Sequence, residues 1–324
     1  DGGGTQMAIT LDDDGRVGTT GDSRDVSLSA VEMTASPILH HDVLTSAGGK
    51  KVAYIFYNQF EHGDNIGTDR NPKYEFAEEM REVFKEFKTR GATELVLDLR
   101  YNPGGYVDQC RLLTSLAAEV DRSQVFLKMQ RNDNINTVYP RVQNPEVLHF
   151  LDGSSVPDRL NLRKIYVLTT DDTASASEMV ISSLRGVGIE VVQIGTATNG
   201  KNVGMDLLET TIDGWDYELW PITFKTLNAE DFSDYAGGFE PQYFIKELLN
   251  VLARRDELYA LGDPRERLLK AALTLIDGGT VISDSDTRAP VTRADGSSMQ
   301  LLPRPVDPRR GGAKYIPIQA QVPE

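Results

Sequence analysis

The segment from Thr173 to Glu178, TASASE, places serines at the predicted start of a helix. Ser175 and Glu178 have the spacing of a capping box, in which two side chains satisfy backbone N–H groups at a helix N-terminus. Because Asp171 and Asp172 already offer caps, capping alone does not require a further serine. A serine here also gains from the helix dipole when negative charge develops nearby. Ser175 is therefore a candidate nucleophile.

A serine hydroxyl becomes an effective nucleophile only when a neighbouring base takes its proton. The usual base is histidine, and none of the histidines lies in a motif typical of a catalytic triad: they are His40, His41, His62 and His149. Lysine can serve where burial disfavours the ammonium form and lowers the pKa. Lys201, on the tight loop NGKNVGM, is a candidate base, although an exposed surface lysine fits the same pattern. His62 is the alternative base.

A third segment, NPGG from Asn102 to Gly105, joins a predicted buried strand to a predicted helix. Glycine permits backbone geometries that leave N–H groups unpaired and pointing outward. Such donors could stabilise an oxyanion that develops during attack on a carbonyl group. A plain turn between strand and helix is the alternative interpretation.

Taken together, the three segments resemble the motifs of the C-terminal processing peptidases, also called tail-specific proteases. The matches are LDLRYNPGG at Leu97 to Gly105, TASASE at Thr173 to Glu178, and in part the lysine loop at Gly200 to Met205. The resemblance extends over about Val52 to Gln242. It implies a serine endopeptidase with a Ser/Lys dyad, a polypeptide substrate and no cofactor.

Carried onto this chain, the resemblance implies that Ser175 is the nucleophile and Lys201 the general base. Glu178 would orient groups beside the dyad or cap the helix. The implied oxyanion-hole donors are the backbone N–H groups of Ala176 and of Gly104 or Gly105. The implied fold is a layered ClpP/crotonase-like α/β core, preceded in such enzymes by a PDZ-like domain. A bacterial envelope location, periplasmic or associated with the outer membrane, follows by analogy.

Three positions depart from the family pattern. Met205 replaces a glutamine that would steady the lysine, Asn202 replaces a glycine, and Gln242 replaces an aspartate. Methionine has no amide, so a third catalytic residue is not assigned. A catalytically dead, peptide-binding relative is therefore the alternative function.

Periodicity predicts the elements that must position these residues. The chain alternates buried strands and amphipathic helices from Lys51 onward, which predicts an α/β core with a mostly parallel sheet and flanking helices. Residues 131–162 are predicted to be an irregular surface excursion. The predicted strands are 52–57, 94–100, 124–130, 164–170, 189–195 and 217–226; the predicted helices are 73–91, 107–119, the segment after Ser175, and most of 243–276.

The domain prediction has three parts. Residues 1–45, with strands near 6–11 and 26–31, are predicted to be the end of a PDZ-like domain and a linker; residues 46–276 form the core. The polar, non-periodic residues 277–324 are predicted to form an extended arm.

Composition restricts the function classes. A net charge of −15 without a clustered basic face argues against nucleic-acid binding. No apolar run approaches the length of a membrane-spanning helix. The single cysteine, Cys110, excludes an intramolecular disulfide and a Cys-rich zinc site, and it lies on an apolar helical pattern that predicts burial. The aspartates 12–14 fit a solvated turn better than a calcium loop, so no metal site is predicted.

Overall fold

A computed structural model describes residues 35–134, 143–212, 214–247 and 259–284, together with the backbone of five short strands outside those ranges. The helices are α1 (Glu75–Thr89), α2 (Val107–Ala117), α3 (Ala176–Arg185) and α4 (Arg267–Ile276). The strands are β1 (Met7–Leu11), β2 (Arg24–Leu28), β3 (Ile38–Thr45), β4 (Lys51–Tyr57), β5 (Glu94–Asp98), β6 (Val125–Arg131), β7 (Glu146–His149), β8 (Lys164–Thr169), β9 (Glu190–Gly195), β10 (Val203–Asp206), β11 (Leu208–Ile212), β12 (Trp215–Leu219), β13 (Ile222–Leu227), β14 (Tyr243–Phe244), β15 (Val291–Thr292), β16 (Ser298–Met299) and β17 (Ala313–Tyr315).

The chain forms two compact units, Asp1–Ser36 and Pro37–Glu324. In the first unit, β1 and β2 pair antiparallel with Met7 opposite Leu28, which confirms the two predicted strands with a small shift. The turn at residues 12–15 lies outside the described residues. Residues 38–45, which the sequence analysis grouped with the N-terminal segment, form β3 of the second unit.

The main sheet of the second unit has the strand order β14-β9-β8-β5-β4-β3. Five of its strands run parallel, and only β3 is antiparallel to its neighbour β4. The predicted α/β class and mostly parallel sheet are confirmed for this part of the chain. The parallel order has a direct consequence, because the carboxyl ends of β5, β8 and β9 meet at one edge of the sheet.

Helices cover both faces of this sheet. Alternate residues of β4 point to opposite sides, as expected for a strand. Ala53 and Ile55 pack in one core cluster with the buried faces of α1, α2 and α3, whereas Val52 and Tyr54 pack with α4 in another. The apolar face predicted for α1 is confirmed, and its buried residues are Phe76, Met80, Val83, Phe84 and Phe87.

A second sheet, in the order β17-β10-β13-β6-β7, was not predicted. The strand expected at 124–130 belongs to this mostly antiparallel sheet and not to the parallel one. The strand predicted at 217–226 is in fact two strands, β12 and β13. The β structure is interrupted at Trp220–Pro221, because proline lacks the N–H group that a β-ladder needs. The excursion predicted at 131–162 contains β7.

The helical prediction for 243–276 was too broad. Tyr243–Phe244 forms the edge strand β14, and residues 248–258 lie outside the described residues. The helix α4 begins only at Arg267, because the Glu266 side chain caps it by accepting from the backbone N–H groups of Leu268 and Leu269. In the tail, the backbone of Ala313–Tyr315 pairs parallel with β10.

Candidate active site

The three chemistry-bearing segments follow three adjacent parallel strands. The Asn102–Gly105 turn follows β5, the segment around Ser175 follows β8, and the Lys201 loop follows β9. Backbone hydrogen bonds join them: Ala174 N donates to the Asn102 carbonyl at 3.1 Å, and Asn199 N donates to the Thr173 carbonyl at 3.0 Å. Sheet topology therefore brings together segments that are far apart in sequence.

Ser175 has a backbone conformation that is rare for a residue with a side chain. Its φ is 58° and its ψ is −111°, directly before the first residue of α3. An ordinary N-cap is extended, so capping does not explain this geometry. Left-handed conformations of this kind cost about 1–3 kcal/mol and concentrate at functional sites. The surroundings hold Ser175 in place at 1% exposure.

Gly104 and Gly105 allow the turn to pack directly against Ser175. A Cβ on Gly104 would lie 2.7 Å from the Ser175 Cβ and 2.9 Å from the Ala176 nitrogen, and one on Gly105 would lie 2.2 Å from the Phe60 carbonyl oxygen. Both glycines also have positive φ, 109° and 141°. Only glycine fits at these two positions without moving the backbone.

The two glycine N–H groups differ in their bonding. The Gly104 N–H donates to Asn102 Oδ1 at 2.9 Å, and Asn102 in turn donates from Nδ2 to the Tyr57 carbonyl. Within the described ranges, the N–H groups of Gly105 and Ala176 donate to no acceptor. The sequence could not show which glycine N–H is open to an oxyanion, because that depends on which of them donates to the Asn102 side chain.

The Glu178 carboxylate ties the serine segment to the lysine loop. Its Oε2 accepts from the backbone N–H of Ser175 and of Lys201, each at 2.8 Å. Its Oε1 accepts from Gly200 N at 2.6 Å and from the Thr198 hydroxyl at 2.7 Å. Burial raises the pKa of Glu178, and these four hydrogen bonds oppose that shift. The hydrogen bond from Ser175 N is the glutamate half of the predicted capping box. The same Glu178 oxygen also holds the backbone of Lys201.

Lys201 lies on a loop with little freedom. Gly200 has a φ of 96°, and a Cβ there would lie 2.2 Å from the Ala236 carbonyl oxygen. The next residue, Asn202, donates from Nδ2 to the Ser233 carbonyl at 2.7 Å and accepts at its carbonyl from Thr226. Burial lowers the pKa of Lys201, while the Glu178 carboxylate raises it. The lowered pKa favours the neutral amine that a general base requires.

The other departures from the family pattern have structural consequences. Met205 is 8% exposed on β10, at an irregularity of the pairing with β13. Gln242 accepts from Gln193 N at 2.7 Å and donates to the Val191 carbonyl, so it fixes the strand β9 that leads to the lysine loop. Sequence reasoning assigned Gln242 no such role.

His62, the alternative base, contacts a carboxylate and two aromatic rings. Its Nε2 lies 2.8 Å and 2.9 Å from the two carboxylate oxygens of Asp108. Its ring stacks between Tyr74 and Tyr106, each with a centroid distance of 3.8 Å. The imidazole nitrogen that a triad would direct at serine therefore contacts a carboxylate.

Cys110 is fully buried, as predicted, and its Sγ lies 3.3 Å from the Ala176 carbonyl. Burial raises the pKa of its thiol well above the usual range, which disfavours the reactive thiolate. Among the described residues, no three or more His, Cys, Asp and Glu side chains are grouped to hold a metal ion.

Arg100 anchors the strand that precedes the glycine turn, and sequence reasoning gave it no role. Its guanidinium is 1% exposed and bonds both Asp98 carboxylate oxygens, at 2.9 Å and 2.7 Å. It also donates to Glu266 at 3.0 Å and to Glu247 at 3.1 Å. These contacts connect the start of α4 to the end of β5, two residues before Asn102.

Comparisons with known proteins show the family of the chain. The sequence profile of Peptidase family S41 matches residues 51–243, and the chain belongs to that family. It is 25% identical over 212 residues to a Staphylococcus haemolyticus protein assigned as a CtpA-like serine protease, a match that covers 63% of this chain and 39% of that one. A carboxyl-terminal-processing protease of Picosynechococcus is 28% identical, with 57% and 37% covered.

A solved structure also resembles this chain. A Bacteroides fragilis protein assigned to the S41 proteases superimposes with a TM-score of 0.66 at 30% identity, covering 85% of this chain and 67% of that one. The chain spans about two fifths of the length of the two curated relatives named above. Across the described ranges, no helix is long and apolar enough to cross a membrane.

Replacing Ser175 by glycine is expected to stabilise the fold by about 1 kcal/mol, because glycine adopts the left-handed conformation without strain. Urea denaturation of Ser175→Gly and wild type measures the change. The matched control is Ser182→Gly in the middle of α3, where the lower helix propensity of glycine should cost about 0.5 kcal/mol. A loss in Ser175→Gly as large as that of the control would contradict a strained backbone at Ser175.

Proposed function

We propose that this chain hydrolyses peptide bonds through an acyl-enzyme on Ser175, with Lys201 as the general base. The observation that carries the proposal is the left-handed Ser175, whose amide shares one Glu178 oxygen with the amide of Lys201. Membership of Peptidase family S41 supports a serine protease activity. A polypeptide substrate follows from the family.

The reaction proceeds in two halves. Neutral Lys201 Nζ takes the Ser175 hydroxyl proton while Oγ bonds to the carbonyl carbon. The resulting ammonium returns the proton to the leaving amine as the C–N bond breaks. Water, deprotonated by Lys201, then attacks the acyl-enzyme and releases Ser175 with its proton restored.

The open N–H groups of Gly105 and Ala176 support an oxyanion hole at this turn. Gly104 is a weaker candidate than the sequence suggested, because its N–H already donates to Asn102. Gly104 instead gives room for the turn to approach Ser175.

Two observations favour Lys201 over His62 as the base. Lys201 shares the Glu178 carboxylate with Ser175, whereas His62 Nε2 contacts the Asp108 carboxylate. Burial also lowers the pKa of Lys201 toward the range in which an amine accepts protons. The catalytically dead, peptide-binding alternative rests on Met205 and predicts a folded protein whose serine does not react.

Covalent labelling tests the proposal. A serine-reactive phosphonate should modify wild type at Ser175, and its rate should rise with pH as Lys201 loses its proton, to a plateau set by the lowered pKa of that lysine. Peptide mapping identifies the labelled residue. A rate limited by a group near the ordinary histidine pKa of about 6.5 would favour His62. No labelling of a folded sample at any pH would favour the dead relative.

Further expectations are carried by the family resemblance. We propose that the layered core is ClpP/crotonase-like, that residues 1–36 end a PDZ-like domain, and that the catalytic unit begins at Pro37, because β3 belongs to the main sheet and not, as the sequence predicted, to the N-terminal segment. The helices on both faces of the main sheet support the first point. The bacterial relatives support a cell-envelope location.

A further inference from the structure

Residues 58–62, which follow β4, lie against the glycine turn. Phe60 and Gly105 form an isolated parallel bridge. Phe60 N donates to the Gly104 carbonyl at 3.0 Å, and Tyr106 N donates to the Phe60 carbonyl at 2.7 Å. These two bonds use the peptide groups on either side of Gly105, so Phe60 fixes the backbone of Gly105 from one side.

The bond to the Gly104 carbonyl sets the direction of the Gly105 N–H. This carbonyl and this N–H belong to one peptide group, and the peptide bond is trans. In a trans peptide group the C=O and N–H bonds point in opposite directions. Because the carbonyl points at Phe60, the Gly105 N–H points away from residues 58–62.

The far end of this segment is held by the His62 side chain. The His62 ring lies between the rings of Tyr74 and Tyr106, with interplanar angles of 7° and 12°. Its Nε2 lies 2.8 Å from Asp108 Oδ1, and Nε2 is the donor because a carboxylate only accepts. The residue is 8% exposed. We call His62, Tyr74, Tyr106 and Asp108 the His62 clamp.

The His62 clamp joins the same two segments as the backbone bridge. His62 lies two positions after Phe60, and Tyr106 directly follows Gly105. Asp108 lies in the first turn of α2. The side-chain contacts of His62 therefore continue the bridge a few residues further along each segment.

The His62 clamp also lies between the starts of two helices. Tyr74 and Tyr106 are the N-caps of α1 and α2, and neither makes a side-chain capping bond. Phe76 N in the first turn of α1 donates to the His62 carbonyl at 3.1 Å. At the other end of the segment, Asn58 N donates to the chain just before β3. The helix starts are therefore the fixed points against which the clamp holds the segment.

We propose that His62 and Asp108 are positioning residues of the oxyanion hole. They hold Phe60 against the glycine turn and thereby keep the Gly105 N–H directed away from residues 58–62, where it can donate to an oxyanion. The inference rests on the proposed function, because it concerns the same site. It gives His62 a role in the reaction that does not require it to be the base.

Steady-state kinetics of the full chain test the inference. His62→Ala removes the stacking and the hydrogen bond, and it should lower kcat by about 10–100-fold with KM nearly unchanged, because the oxyanion forms only in the transition state. Asp108→Ala should lower kcat in the same way. Asp108→Asn should recover most of that loss, since its amide oxygen still accepts from Nε2.

The matched control is His41→Ala. His41 also pairs with a carboxylate through Nε2, at 3.3 Å from Glu86 Oε2, but this pair joins β3 to α1 outside the His62 clamp. Its loss should leave kcat unchanged. His62→Phe keeps a ring between the two tyrosines and removes the hydrogen bond, so it should behave like Asp108→Ala and serves if His62→Ala does not fold.

Amide hydrogen exchange tests the clamp independently of activity. The N–H groups of Phe60 and Tyr106 make the bridge, so both should exchange about tenfold faster in His62→Ala than in wild type. Their exchange in His41→Ala should match wild type. Faster exchange without a loss of kcat would mean a purely structural role and would overturn the inference.

Phosphonate labelling separates failure of this inference from failure of the proposed function. If wild type is labelled at Ser175, undiminished kcat in a folded His62→Ala protein overturns the inference alone, and so does a rise in KM alone. Labelling of His62→Ala should be slower but keep the wild-type pH midpoint, because Lys201 is untouched. A lost pH dependence would make His62 the base and overturn both proposals. If wild type is not labelled, the proposed function fails, and the oxyanion role fails with it.

Discussion

Lys201→Met is expected to lower kcat/KM for a peptide substrate by about 10⁴-fold, because Ser175 then loses the base that accepts its proton. Methionine preserves the length and apolar stem of lysine and removes only the amine. Initial rates across pH measure the loss. The matched control is Lys164→Met, at an exposed lysine paired with Glu190 on the sheet, which should keep wild-type activity.

The same substitution should stabilise the fold. The pKa of Lys201 is lowered in the folded chain. Below that pKa, the buried ammonium reduces the free energy of unfolding of wild type, and methionine at this position does not. For wild type this cost disappears as pH rises from the lowered pKa toward the unfolded value of about 10.5. Denaturation of both proteins at several pH values should show the largest advantage of Lys201→Met at the lower pH. Wild-type activity in a folded Lys201→Met protein would exclude the dyad.

Glu178→Ala is expected to destabilise the fold by about 3–5 kcal/mol and to abolish labelling of Ser175. The substitution leaves four donors without their acceptor, namely the N–H groups of Ser175, Gly200 and Lys201 and the hydroxyl of Thr198. It also opens a cavity where the side chain is fully buried. Glu190→Ala, at an exposed glutamate, should change stability little.

Glu178→Gln separates position from charge, because glutamine keeps the volume and one acceptor oxygen. Its amide would face N–H donors, so both stability and labelling should fall between those of wild type and Glu178→Ala.

Burial raises the pKa of Glu178 in the folded chain. The stability that this raised pKa contributes to wild type is therefore full below the unfolded pKa and is lost as pH rises through the folded value. The stability of wild type relative to Glu178→Gln should therefore fall as pH rises from about 4.5. Wild-type labelling of Ser175 in the Glu178→Ala protein would show that Glu178 is not needed to position the candidate site.

Local sequence patterns determined the buried face of α1, several strands and part of the candidate site. The periodicity around Phe76, Met80 and Phe84 fixes the buried face of α1, because apolar residues three and four apart share one side of a helix. Continuous apolar runs predicted β4, β5, β8 and β9 of the main sheet, because parallel strands covered on both faces are apolar along their length. Ser175 and Glu178 were identifiable because they lie three positions apart at a helix start, a spacing at which the two groups meet.

Tertiary structure decided what depends on contacts between distant segments. The second sheet was not predictable, since short strands such as β10 acquire partners only when β13 and β6 pack beside them. The choice between Gly104 and Gly105 depends on the Asn102 side chain, and the left-handed φ of Ser175 depends on the packing of that turn. Periodicity can predict which face of an element is apolar, but only the folded chain shows whether that face is covered, as the exposed Trp215 illustrates.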